Sequence, residues 1–194
     1  VIIALKDFEK GITYIGGDSL RSIGSIVLPL PKDNSKVFES GGFVFGHTGA
    51  GRIRNITQAL NFRFAKGSPD QSFNLERTLI EYLVPAFKEE ARKREFLLAK
   101  EKEKAPPSLD GQVIIAVGTQ VCVLHSDFSV TPIANKYYAI GSGQQVALGA
   151  LEVAIKHTEL TPRNAVLAAL KASAMYMGSV GAPFVIKKTK EFVN

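Results

Sequence analysis

Three groups with complementary chemistry stand in the first 36 residues. The apolar run Val1-Ile2-Ile3-Ala4-Leu5 reads as a strand, a second strand closes on Gly16-Gly17-Asp18, and Lys36 follows a turn-rich segment. A chain-terminal strand, a carboxylate and a lone amine brought together are the parts of an N-terminal nucleophile site. Val1 itself brings no nucleophilic atom to it.

Taken singly, each of these residues has a plainer reading. Asp18 after two glycines caps a turn, and Lys36 in a polar turn is a solvated surface lysine. Ser142, in Gly141-Ser142-Gly143, is a helix N-cap, a role compatible with a place in a site. The glycines between Gly46 and Gly51 suggest a phosphate loop, but no Gly-Lys-Ser/Thr follows, which argues against a nucleotide. His47, His125 and His157 lack metal-ligand spacing and read as structural, so neither metal nor cofactor is implied. Met175 and Met177 read as core or interface.

The elements that must position these residues follow from periodicity. Residues 1–6 and 11–16 form a hairpin, and Ser22 to Leu30 reads as one further extended segment ended by Pro29 and Pro31. Lys36–Glu39 and Phe43–Gly46 form a second hairpin, and a helix runs from Gly49 to about Phe62. A polar loop spans Ala65 to Gln71. A long helix is expected from Leu75 to Lys100, with a kink at Pro85 and a break at Ala105-Pro106-Pro107-Ser108. Strands Val113–Val117, Gln120–His125, Asp127–Pro132 and Tyr137–Ile140 follow. Helices run from Gln144 to His157 and from Thr161, a good N-cap with Pro162 behind it, to about Met177. Pro183 to Ile186 is a closing strand. The plan is α+β: a four-layer αββα sandwich, two antiparallel sheets between helix pairs, in a single domain over 1–194.

Composition narrows the classes. The 194 residues are 45% hydrophobic and 22% charged, ordinary for a globular domain, and no apolar run is long enough for a membrane span. No signal peptide is read at the start. The lone Cys122 sits in an apolar strand as a small hydrophobe, which excludes a disulfide framework within one chain and points to a cytoplasmic setting. The net charge of +6 raises nucleic acid, yet Lys88 to Lys104 interleaves Lys and Arg with five glutamates and one aromatic. That is the pattern of a solvated helix face, so no nucleic-acid partner is expected.

Gly17-Asp18, Ser35-Lys36-Val37, Gly46-His47-Thr48-Gly49 and Tyr138-Ala139-Ile140-Gly141-Ser142-Gly143, in this order of elements, resemble the proteasome β-subunit family. The likeness is greatest to HslV-type subunits and their bacterial and phage relatives. It spans nearly the whole chain, is strongest over 1–50 and 137–186, and is weak between about 62 and 108. The resemblance implies the N-terminal nucleophile (Ntn) hydrolase fold and an N-terminal threonine whose hydroxyl attacks a peptide carbonyl while its α-amine acts as base. That amine's ordinary pKa near 8 suits proton shuttling.

By the same resemblance, Asp18 fixes Lys36 and the terminal amine, Lys36 lowers the nucleophile's pKa, and Ser142 bonds the amine. Ser22 and the segment Gly46, Thr48, Gly49 pair with substrate backbone, and an N–H near Gly49 stabilises the oxyanion. Ala4 and Ile2-Ile3 align best with Val1 as the family's second residue, so the nucleophile is expected just before Val1. The family's frequent Asp in the last long helix has no counterpart in Ala174-Met175-Tyr176-Met177-Gly178-Ser179; Ser179 matches the serine that often follows it.

The function implied is a threonine-type endopeptidase subunit acting on unfolded polypeptide inside a homo-oligomeric ring, with an ATPase unfoldase as partner. Two alternatives share the fold: a catalytically silent structural ring component or binding protein, and an Ntn amidohydrolase of small amides.

Overall fold

The structure is a computed structural model that describes residues 1–23, 26–31, 34–60, 72–94 and 108–191. Strands β1 (Ile2–Asp7) and β2 (Ile12–Gly17) form the expected hairpin, with Ile2 opposite Gly17 and Asp7 opposite Ile12. The outer edge of β1 takes β10 (Tyr137–Ile140) and that of β2 takes β11 (Val185–Lys188), giving an antiparallel sheet in the order β10-β1-β2-β11. A second antiparallel sheet runs in chain order through β5 (Val37–Ser40), β6 (Phe43–His47), β7 (Val113–Val117), β8 (Gln120–Leu124) and β9 (Val130–Pro132).

The stretch read as one extended segment from Ser22 to Leu30 is a hairpin. Strands β3 (Leu20–Ile23) and β4 (Ile26–Pro29) pair with Arg21 opposite Leu28 and Ile23 opposite Ile26. The dipeptide between them in the sequence, Gly24-Ser25, is of the kind that joins the strands of tight hairpins, so the doubling back carries a local signal that the reading as one segment passes over.

Strand β1 is buried on both faces, as its unbroken apolar run requires. Ile2 and Ala4, with Ile15 of β2, pack between the sheets against Val37, Val44 and Ile114. Val1, Ile3 and Leu5 face the opposite way, onto α4 (Gln144–His157) and α5 (Pro162–Tyr176). The outer face of the second sheet, through Phe43, Phe45 and Ile115, is covered from α1 (Arg52–Ala59), α2 (Leu75–Thr78) and α3 (Val84–Lys93) by Ile53, Ile56, Leu75 and Phe87. The four-layer αββα sandwich is thus present.

Local chemistry accounts for the helix boundaries. The Thr161 hydroxyl accepts from the Asn164 N–H, and Pro162 opens α5 where its missing N–H costs nothing. Between α2 and α3 lies a π-helical turn, Leu79–Leu83, with Val84 between it and Pro85. Proline cannot donate back to the carbonyl four residues earlier, so the expected kink appears as a widened turn. The described part of the charged helix carries exposed pairs Glu89–Lys93 at 2.9 Å and Glu90–Arg94 at 2.7 Å, one turn apart, as a solvated face should. The loop read at Ala65–Gln71, the helix beyond residue 94 and the break at 105–107 lie outside the described residues.

Cys122 is buried in β8 and its thiol is pushed up to about 12, chiefly by burial, so it packs as a small hydrophobe. No helix among the described residues is long and apolar enough to cross a membrane.

Candidate active site

Two glycines bring Asp18 to its place. A Cβ on Gly16 would lie 2.3 Å from Val166 of α5, and one on Gly17 would meet Ile2 and Val37 at 2.7 Å. Only bare backbone lets the end of β2 pass between helix and sheet, and Asp18 follows it into the interior with 1% exposure. Its carboxylate accepts three donors there. Oδ1 takes the Val1 nitrogen at 2.5 Å, Oδ2 takes the Leu20 N–H at 3.0 Å, and the Lys36 ammonium spans both oxygens at 3.0 and 2.9 Å. A buried charge is tolerable only with such company.

Lys36 is aimed by backbone on either side. The Ser35 hydroxyl, itself buried, donates to the Val37 carbonyl and accepts from the Val37 N–H, closing a tight turn before β5. The Lys36 carbonyl accepts the His47 N–H at 3.1 Å. Its ammonium, with the side chain 16% exposed, is the partly solvated member of the cluster. At the Val1 nitrogen burial acts first, pushing an ammonium below its usual pKa; Asp18 raises it and Lys36 lowers it further. An uncharged amide N–H at this point would keep the bond to Asp18 without that desolvation.

A cavity of about 690 Å³ opens over Val1 and Lys36. Ser142 and Ser179 lie on its rim, and their hydroxyls bond each other at 2.8 Å. Where the resemblance pairs Ser142 with the terminal amine, its partner here is Ser179, in the turn after α5, and both are exposed. Thr48 and Gly49 border the cavity. Gly49 has φ +81°, and a Cβ there would sit 2.0 Å from the Asp110 carbonyl, so this position admits glycine alone. The amides flanking it are spent: Thr48 N–H on the Gln112 carbonyl at 2.9 Å and Ala50 N–H on the Asp110 carbonyl at 2.8 Å. Among the described residues nothing accepts from the Gly49 N–H.

One expectation needs adjustment. Gly46 does not reach the cavity: it lies inside β6, paired with Val37 on one side and Ile114 on the other. A Cβ there would come within 2.5 Å of Ile2, so its role is close packing of the two sheets, and its backbone is closed to substrate. Ser22 sits on β3 opposite Val27, beside Leu20 and Arg21, which border the cavity; its side chain lies outside the described ones.

Arg21, the loop Asp110–Gln112 and His47 also line the cavity, although motif and spacing single out neither Arg21 nor the loop and leave His47 as structural. His47 is 4% exposed with Nδ1 unpartnered, and burial, followed by Lys36, Arg54 and Arg21, drives its pKa down to about 4. It is a neutral imidazole at neutral pH. No group of three His, Cys, Asp or Glu side chains gathers to hold a metal among the described residues.

A scan of protein-family models gives no match, and neither does a sequence comparison with curated proteins. Solved structures do match. BPH of Thiobacillus denitrificans superposes over 97% of both chains with a TM-score of 0.73 and 22% identity. The fold is that of the proteasome-like hydrolases. The eukaryotic HslV of Trypanosoma brucei matches 96% of this chain and 97% of its own at TM-score 0.63 and 15% identity. Anbu, an ancestral β-subunit from Yersinia bercovieri, matches 97% of this chain and 80% of its own at TM-score 0.65 and 12% identity. Each of the three matches covers 96–97% of this chain.

Proposed function

We propose that the chain is a proteasome-like peptidase subunit whose nucleophile is the residue attached to the Val1 nitrogen. The observation that carries this reading is the junction of that nitrogen, Asp18 and Lys36 beneath an open cavity. A residue joined there begins about 1.3 Å from the Val1 nitrogen, and the cavity offers it room beside the Lys36 ammonium. A hydroxyl or thiol on it attacks the peptide carbonyl while its own α-amine takes the proton. Lys36, held by Asp18, favours the deprotonated nucleophile through its charge. The Gly49 N–H receives the oxyanion, and the amine then protonates the leaving nitrogen. Water releases the acyl group by the same path in reverse.

Substrate is read as an extended, unfolded polypeptide lying between β3 and the Thr48–Gly49 segment. Support comes from β3, which belongs to a sheet of two strands and borders the cavity through Leu20 and Arg21. The fold supports assembly into a closed ring in the cytoplasm, where enclosure protects other proteins, with an ATPase unfoldase delivering chains. A fluorogenic peptide tests the chemistry. Turnover is expected from a particle of ring size on size exclusion, falling about a hundredfold or more in Lys36→Ala. Turnover that Lys36→Ala leaves intact would overturn the assignment.

One observation favours a second reading. Val1 is itself buried with an inert side chain, and Ser142 and Ser179 satisfy one another without any amine. A catalytically silent ring component would keep these features, and would show ring size with no turnover.

A further inference from the structure

The cavity beside Val1 has a charge pattern that peptide hydrolysis as such does not require. Arg21 reaches from β3 onto the start of α1: a Cβ on Gly51 would lie 3.1–3.3 Å from its guanidinium, so the bare glycine makes room for that group on the first turn. Among the described residues no carboxylate comes within ion-pair distance of Arg21. Helix α1 begins at Gly51 with no side-chain cap and no acidic residue in its first turn, so its positive end borders the same space. His47 lines the cavity with a side chain 4% exposed, its Nδ1 buried and without a hydrogen-bond partner. Asp110, exposed on the rim, is the opposing carboxylate among the described lining residues.

We propose that this cavity is a subsite for a carboxylate side chain, so that the protein cleaves after glutamate or aspartate. The proposal rests on the hydrolase reading above and names its substrate class. The guanidinium of Arg21 takes the carboxylate as a charge-assisted pair, with the first turn of α1 supplying further N–H donors. The acyl side of the bond follows from continuity of the chain. His47 leads through Thr48 to Gly49, so the pocket wall and the N–H assigned to the oxyanion belong to one segment.

The test is a panel of peptide amides identical except for Glu, Gln, Leu or Lys before the fluorophore, given to the full-length protein at low and high salt. Glu is expected to exceed Gln at least tenfold in kcat/KM. That ratio should shrink at high salt, fall toward one in Arg21→Gln, and be partly kept in Arg21→Lys. Asp110→Asn should raise it. Cleavage in which Gln or Leu equals or exceeds Glu, or a Glu preference unmoved by Arg21→Gln, overturns the subsite and leaves the hydrolase standing. No cleavage of any peptide by the assembled protein overturns the hydrolase reading, and the subsite with it.

Discussion

On one side of the candidate site a buried carboxylate, Asp18, holds three donors at once; on the other, Ser142 and Ser179 hold only each other, in the open. The first side is built from strand ends. Asp18 follows the glycine pair that ends β2, Lys36 stands just before β5, and both sheets contribute to the packing around them. The second is built from two turns, one before α4 and one after α5, which meet late in the chain and face solvent. Charge set into sheet packing is held in one geometry, because moving it would leave a buried ion unpaired. A hydroxyl pair in water can change partners at little cost. On the proposed reading, the buried side suits a fixed field around a nucleophile, and the open side suits an adaptable contact that an incoming amine can enter.

The largest expected effect comes from breaking the rigid side. Asp18→Asn leaves Lys36 without its anion and turns one of the two accepting oxygens into a donating amide, so the Val1 nitrogen, the Leu20 N–H and Lys36 no longer all find acceptors. It should lower stability by about 3 kcal/mol in urea unfolding and turnover by at least about a hundredfold. If Asp18→Asn unfolds at the same urea concentration as the parent, the rigidity ascribed to this side is wrong.

His47 gives an effect of similar size through pH. Its folded pKa, about 4, lies below the ordinary value of 6.5, so the unfolded chain binds the proton more readily. Stability is therefore complete above about pH 6.5 and is lost as pH falls toward 4, by at most about 3 kcal/mol. Compared with the parent, His47→Gln should show a shallower decline across that window. Parallel stability curves for parent and variant would show that His47 stays uncharged for free, or is not buried in solution.

The adaptable side should give the smallest effect on folding and a graded one on rate. Ser142→Ala and Ser179→Ala should each cost under about 1 kcal/mol in stability, as exposed neutral hydrogen bonds do. Each should reduce turnover roughly tenfold. In a double-mutant cycle on kcat/KM the losses should be less than additive, because the two hydroxyls act as one contact. A loss as severe as that of Lys36→Ala would move the pair into the rigid group.

This division also explains what the sequence discloses. The rigid side is legible because its parts are short-range: Asp18 closes a strand that pairs in a hairpin with β1, and Lys36 stands directly before an apolar strand. The capping of α5 by Thr161 and Pro162, and the break in helix geometry at Pro85, are legible for the same reason. The rest depends on neighbours distant in sequence. Gly46 resembles a loop glycine until β7 is seen to cover its second edge and Ile2 its face. The partner of Ser142 comes from 37 residues away, and Arg21 carries no motif, only a location gained when β3 folds back toward Gly51. His47 looks structural because its burial is real, while the unpartnered Nδ1 is visible only in three dimensions.

The central claim is that a nucleophile is joined to the Val1 nitrogen, and it is tested most directly by N-terminal sequencing and intact mass of the mature protein after treatment with an electrophilic peptide. A Thr, Ser or Cys preceding Val1, carrying one probe adduct per chain that Lys36→Ala prevents or slows at least about a hundredfold, is the predicted result. A mature chain that begins at Val1 or at an unreactive residue, with no adduct, would contradict it.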